Sequence, residues 1–135
     1  MSDTTWDPSK PILEIENLSI SFFTHLREIP AVMDFSCTVM AGEAMGLVGE
    51  SGCGKSTLAR AIMAVEPIQG GAIAIAGSAI GPKRGASFET RRKMQVVFQD
   101  PYGSLNPRWR IGRTIAEPLL FQRLRPADQV PARVA

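Results

Sequence analysis

Residues 49 to 56 read Gly49-Glu50-Ser51-Gly52-Cys53-Gly54-Lys55-Ser56, the spacing G-x-x-x-x-G-K-[ST]. Residues of these types in this order can hold a polyphosphate. Glycines let consecutive backbone N–H groups turn inward as an anion-binding nest without a Cβ clash. Lys55 is placed to bridge β- and γ-phosphates, Ser56 to offer its hydroxyl to Mg²⁺, and Thr57 to add a second hydroxyl. Glu50 lies inside the loop and is not a catalytic carboxylate. The motif points to a nucleoside triphosphate held with Mg²⁺.

Such a loop needs an apolar strand before it and a helix after it. Ala44-Met45-Gly46-Leu47-Val48 is the strand candidate, and the run from Lys55 to Ala64 reads as the helix. The positive end and unpaired amides of that helix would face the same phosphates. Upstream, Leu13 to Ile15 and Leu18 to Phe22 alternate apolar with polar residues, the period-two pattern of half-exposed strands. Val32 to Val39 repeats it, with Phe35, Cys37 and Val39 on one face. Short turns and no helix join these segments, so they predict an antiparallel sheet. Downstream, Ala72 to Ala76 reads as a small-residue strand and Gly77 to Gly85 as a loop. Phe88 to Lys93 reads as helix or turn, and Met94 to Phe98 as a buried strand. Ile111, Ile115 and Leu119 share one helical face, and Pro118 is expected to kink or end that helix. Arg123 to Ala135 shows no clear core face.

Composition narrows the class. A chain of 135 residues can build one domain with a core, and no apolar run approaches the length of a membrane span. The polar, acidic N-terminus does not resemble a signal peptide. Two cysteines, Cys37 and Cys53, are too few for a disulfide scaffold and suit a reduced cytoplasmic setting. The net charge of +2 hides an asymmetry. Residues 1–80 carry four basic and nine acidic side chains, residues 81–135 eleven basic and four acidic. No aromatic ladder interleaves the arginines, so the basic half reads as a solvated face and no nucleic acid is expected as partner.

The phosphate loop alone leaves kinases, GTPases, helicases and transport ATPases open. A second run narrows the field: Val96-Val97-Phe98-Gln99-Asp100-Pro101-Tyr102-Gly103-Ser104-Leu105-Asn106-Pro107. Placed downstream of Gly46 to Thr57, it resembles the Q-loop region of ATP-binding cassette (ABC) transporter ATPases, most closely the oligopeptide, dipeptide and nickel uptake branch. Ile111-Gly112 and Ile115 to Leu119 also resemble that branch. The resemblance runs from about Leu13 to Leu120.

The resemblance implies an α/β fold: a P-loop NTPase core of the ABC type, with an N-terminal antiparallel β subdomain. It implies that Gln99 reaches Mg²⁺ or the attacking water at the γ-phosphate, making Lys55 and Gln99 the catalytic residues and Ser56 and Gln99 the metal ligands. It implies that Phe22, with Phe23 as the alternative, stacks on adenine, and that residues 49 to 57 bind nucleotide. The segment Asp100 to Arg110 would lie toward transmembrane permease subunits. A second ATPase subunit would pair head to tail, with the protein peripheral on the cytoplasmic face of the inner membrane. By this resemblance residues 1–11 form a loose tail, 12–122 the N-terminal part of the nucleotide-binding domain, and 123–135 the start of a helical subdomain.

The family pattern would continue with an L-S-G-G-Q-like signature, an apolar strand ending in Asp-Glu (Walker B) and a switch histidine. The 135 residues contain none of these, and His25 lies too early to be that histidine. The chain is therefore expected to be the first half of such a domain, inactive alone. The segments 44–48 and 94–98 are expected to be partly exposed. The expected function is ATP binding and hydrolysis coupled to peptide import. The alternatives are a non-catalytic nucleotide-binding or interaction module and, less favoured, a small P-loop kinase.

Overall fold

In the computed structural model, residues 7, 9–81, 85–100, 103 and 105–135 are described. Most of the expected N-terminal tail, and Pro101, Tyr102 and Ser104 of the second motif, lie outside the described residues. The chain divides into two compact units, Met1–Met94 and Gln95–Ala135.

The first unit is built on a four-stranded antiparallel sheet. Its strands are β1 (Pro11–Phe23), β2 (Glu28–Met40), β3 (Gly70–Ile75) and β4 (Ser78–Ile80), in the order β2-β1-β3-β4. The two segments predicted between Leu13 and Phe22 are one strand. The break between them is a bulge. Ile15 and Leu18 are three positions apart, which in a regular strand would send them to opposite faces, yet both are buried. The register slips between Ile15 and Leu18 on the β2 side and between Glu16 and Ser19 on the β3 side, and Asn17 takes a left-handed φ of 48°. Opposite it, Asp34 in β2 has the same φ. Side chains tie the distortion down: Asn17 Nδ2 donates to Asp34 Oδ1 at 2.9 Å and Asn17 N–H to Ser36 Oγ at 2.8 Å. Asn and Asp tolerate this region better than other non-glycine residues. Across the sheet Gly71 passes the bulge so closely that a Cβ there would lie 2.3 Å from Glu16 O. Only glycine fits.

Helix α1 (Lys55–Ile62) buries Leu58 and Ala61, three apart and so on one face. They join Ile15, Leu18, Ile20, Ile68, Ile73, Ile75 and Ile80 in a single apolar cluster. Each such aliphatic side chain stabilises the unit by about 1.5–3 kcal/mol when fully buried. Helix α1 ends in a Schellman pair, Val65 N–H to Arg60 O and Ala64 N–H to Ala61 O, with Ala64 at φ 54° where glycine is usual. Phe35, Cys37 and Val39 of β2 are half-buried on one face, as their alternation predicts. Helix α2 (Phe88–Arg92) is capped by Ser87, whose Oγ accepts from Thr90 N–H at 3.1 Å.

Three expectations for this unit and its edge need correction. Gly77 to Gly85 is not all loop, because Ala76 and Gly77 both take positive φ and return the chain as β4. That conformation is a two-residue hairpin turn of the type that follows the sheet's twist. Ala44 to Val48 and Met94 to Phe98 are not strands. β-rich composition makes a strand only where a neighbour supplies ladder hydrogen bonds, and no described strand pairs with either segment. Their apolar side chains stand in solvent: Val48 and Val97 are 95% and 97% exposed.

The second unit holds α3 (Ile111–Phe121), a 3₁₀ turn (Ala127–Gln129) and α4 (Val130–Val134). Helix α3 runs through Pro118 and ends after Phe121, closed by the bonds Leu124 N–H to Leu119 O and Arg123 N–H to Leu120 O. Its expected apolar face is largely in solvent, with Ile111 78% and Ile115 52% exposed. The side toward α4 is instead Gly112, Ala116 and Leu120, which line an apolar groove with Val130 and Val134. Val130 is buried, so the last segment does have a core face.

Candidate functional site

The loop between residues 48 and 55 joins a segment outside the sheet to the start of α1. Gly52 and Gly54 have φ of 84° and 95°. At Gly54 the fit is closed from two sides. The left-handed φ disfavours any side chain, and a Cβ would lie 2.4 Å from Ala31 O and 3.3 Å from Val32 Cγ2. The loop's end is thus pressed against the start of β2, and that contact fixes where α1 begins.

Helix α1 starts on Gly54 with no side-chain cap and no acidic residue in its first turn. Its first intrahelical bond is Leu58 N–H to Gly54 O at 2.9 Å, so the amides of Lys55, Ser56 and Thr57 have no helical carbonyl to reach. Donor amides, the helix's positive end and an ammonium group therefore share one small region. Lys55 Nζ lies 2.7 Å from Gly49 O, 2.6 Å from Glu50 O and 3.4 Å from Cys53 Sγ. Ser56 is exposed and Thr57 half-buried. Such an arrangement can bind an anion of several oxygens, and the Ser56 hydroxyl is a hard oxygen donor of the kind Mg²⁺ takes. Among the described residues no group of three or more His, Cys, Asp or Glu side chains is placed to hold a metal ion by itself. A divalent cation here would rest on hydroxyl and ligand oxygens.

Phe22 and Phe23 lie at the turn end of the β1–β2 hairpin, which Thr24 and Arg27 close. Phe22 is 38% exposed and pairs with Ile29; Phe23 is 69% exposed and pairs with Glu28. Ile29 is two residues from Ala31, whose carbonyl faces Gly54, roughly 7 Å along the strand. The hairpin therefore brings Phe22 toward the phosphate loop through the strand that the loop touches. Gln99 belongs to the second unit, where it is exposed and lines an open depression with Phe98, Asp100 and Gly103. His25 is an exposed turn residue.

Sequence reasoning missed several contacts in each unit. The flank formed by Ala31 and Val32 carries no motif. The ties from Lys55 to Gly49, Glu50 and Cys53 are visible only in three dimensions. In the second unit, Arg113 stacks on Trp109 with its guanidinium carbon 4.3 Å from the ring centroid. Its spacing of four residues was the only available signal.

A family model described as "ABC transporter" matches residues 32–134, most of the chain. The chain belongs to the ABC transporter family. Among curated relatives of this ABC chain, the oligopeptide transport ATP-binding protein OppF of Haemophilus influenzae is 42% identical over 134 residues. That match covers 91% of the chain and 40% of the relative. The glutathione import ATP-binding protein GsiA of Pectobacterium atrosepticum is 39% identical, covering 98% of the chain and 23% of the relative. The di/tripeptide transport ATP-binding protein DppF of Pseudomonas aeruginosa is 44% identical, covering 77% and 32%. The ABC chain spans two-fifths or less of the length of these relatives.

The fold is shared with solved ABC structures. The ATP-binding cassette MJ0796, a dimer in a post-hydrolysis state bound to ADP and Pi, aligns with a TM-score of 0.71 at 20% identity. That alignment covers 90% of this chain and 53% of MJ0796. The protein cbiO1 from Clostridium perfringens, part of the transporter complex cbiONQ, aligns at 0.69 and 22% identity, covering 93% and 48%. Among the described residues no helix is long and apolar enough to cross a membrane.

Proposed function

We propose that this chain is the ATP-binding portion of an ABC importer ATPase for peptides, whose whole domain couples ATP binding and hydrolysis to transport. The observation that carries the reading is the loop itself: an uncapped helix start, two left-handed glycines and the Lys55 ammonium gathered over Gly49 to Thr57. Relatives named for oligopeptides, di/tripeptides and glutathione support peptides as the cargo class.

In this reading the loop amides and Lys55 bind and orient the phosphates, and Phe22 stacks on the base. Ser56 holds Mg²⁺ with its hydroxyl. Gln99 reaches the metal or the attacking water through its amide oxygen, the role its sequence run implies. When bound, Mg²⁺ supplies charge neutralisation on the phosphate oxygens. Transmembrane permease subunits and a second ATPase subunit are the proposed partners, and the cytoplasmic face of the inner membrane the proposed place of work.

A second reading has a specific observation behind it. No apolar run in the 135 residues ends in Asp-Glu, so nothing here polarises a water for in-line attack. The 135 residues by themselves therefore bind nucleotide without turning it over. Binding of a fluorescent ATP analogue with Mg²⁺, beside a phosphate-release assay, tests both readings. Wild-type chain should bind, and Lys55→Ala should bind on the order of 10- to 100-fold more weakly, the worth of a charge-assisted contact. Neither should release phosphate. Absence of binding would end the first reading, and Lys55-dependent release would end the second.

A further inference from the structure

We propose that Gln69 is a positioning residue for the nucleotide base, fixing through its side-chain amide the end of β1 that presents Phe22. The pairing of β1 with β3 stops at Ser19 and Gly70, two residues short of Ser21. On the other side of β1, against β2, the register shifts between Ile20 and Ser21. A strand end left so would have an open donor at Ser21 N–H and freedom to fray. Gln69 fills that place. Its own N–H donates to Ser19 O at 3.0 Å, and its Oε1 accepts from Ser21 N–H at 2.8 Å. A side-chain carbonyl thus stands where a longer β3 would have offered a main-chain one.

The anchor is firm on both sides. Ile68 is buried in the core, and Gly70 packs on β1, where a Cβ on it would lie 3.6 Å from Ser19 Cβ. Gln69 itself is exposed, so its side chain contributes the bond and not packing. Phe22 follows Ser21 directly and pairs with Ile29, on the stretch of β2 that leads to Ala31 and its contact with Gly54. Tilting the peptide between Ser21 and Phe22 would swing the ring relative to the phosphate loop. That the ring meets a base rests on the nucleotide-binding reading above. The tie from Gln69 to Ser21 does not.

Binding of ribose-labelled ATP and of tripolyphosphate, each with Mg²⁺, to the whole 135-residue chain tests this. Gln69→Met keeps the length of the side chain and loses the acceptor. It should bind the ATP analogue about 3- to 10-fold more weakly, the worth of one neutral hydrogen bond, and tripolyphosphate as wild type does. Gln69→Glu keeps an acceptor oxygen at the same reach, so its ratio of the two affinities should return to the wild-type value. In amide hydrogen exchange without nucleotide, Ser21 N–H should exchange about fivefold faster or more in Gln69→Met. Ala76 N–H, bonded to Ile12 O, should be unchanged and report that the variant folds. Unchanged ATP-analogue binding, or an equal loss for both ligands, overturns the positioning role. Unchanged Ser21 exchange overturns the tie itself. If the wild-type chain binds neither ligand, the nucleotide reading fails and the positioning role with it, while Ser21 exchange still decides the tie.

Discussion

Strand β3 (Gly70–Ile75) and the segment Met94 to Phe98 are both short and apolar, and the second is the richer in side chains that favour strands. Strand β3 is hydrogen-bonded on both edges, and its Ile73 and Ile75 lie in the core. The other segment has no ladder, and Val96, Val97 and Phe98 are 41%, 97% and 64% exposed. The contrast teaches that strand character here lies in pairing and not in composition. Antiparallel neighbours close in sequence supply that pairing to the first unit. The segments 44–48 and 94–98 find none among the described residues, in a chain that spans two-fifths or less of its relatives.

The largest expected effect sharpens this contrast directly. Ile73→Ala should destabilise the first unit by about 2–5 kcal/mol in urea unfolding, the range for emptying a filled core site. Val97→Ala should change stability by no more than about 0.5 kcal/mol. Equal losses would mean that Val97 is packed in solution and would break the comparison.

A smaller effect tests whether the paired region tolerates local strain. Ala64, held at φ 54° by the Schellman bonds that end α1, should be improved by glycine, with Ala64→Gly raising stability by about 1 kcal/mol. A loss of stability would show that α1 does not end in this way in solution.

The smallest effect concerns the half-buried face of β2. Burial pushes the Cys37 thiol above its ordinary range, because the thiolate is the form that desolvation disfavours. With the folded value raised, the contribution to stability is complete below the unfolded thiol's titration and is lost as pH rises through the folded value. Stability measured against pH in the alkaline range should therefore fall, and Cys37→Ala should lose that component of the fall. An identical alkaline profile in the variant would place the thiol in solvent.

Local chemistry was legible in the sequence, and non-local pairing was not. The loop could be read because its glycines and lysine act within eight consecutive residues. Alternation located β1, β2 and β3, but nothing in period two announces that Ile15 and Leu18 share a face across a bulge. The β4 hairpin was hidden because Ala76 is an unusual occupant of a left-handed turn position. In α3, periodicity drew attention to the large residues Ile111 and Ile115, while the helix turned its small residues, Gly112 and Ala116, toward α4. Large side chains mark where burial would help. Small ones mark where backbones can approach.

The bulge in β1 also has a consequence for how this gene can change. Ile15 precedes the irregularity, and Leu18 and Ile20 follow it, so the two halves of the strand are out of step by one residue. Deleting either Glu16 or Asn17 would set Ile15 and Leu18 two apart, and plain alternation would then keep both facing the core without a bulge. Deleting both would set them one apart and turn one half of the strand inside out, placing Leu18 and Ile20 in water and serines in the core. At its present length the segment keeps a single inward face only through the bulge, so Asn17, Asp34 and Gly71, which hold it, are the positions that selection on the fold must preserve.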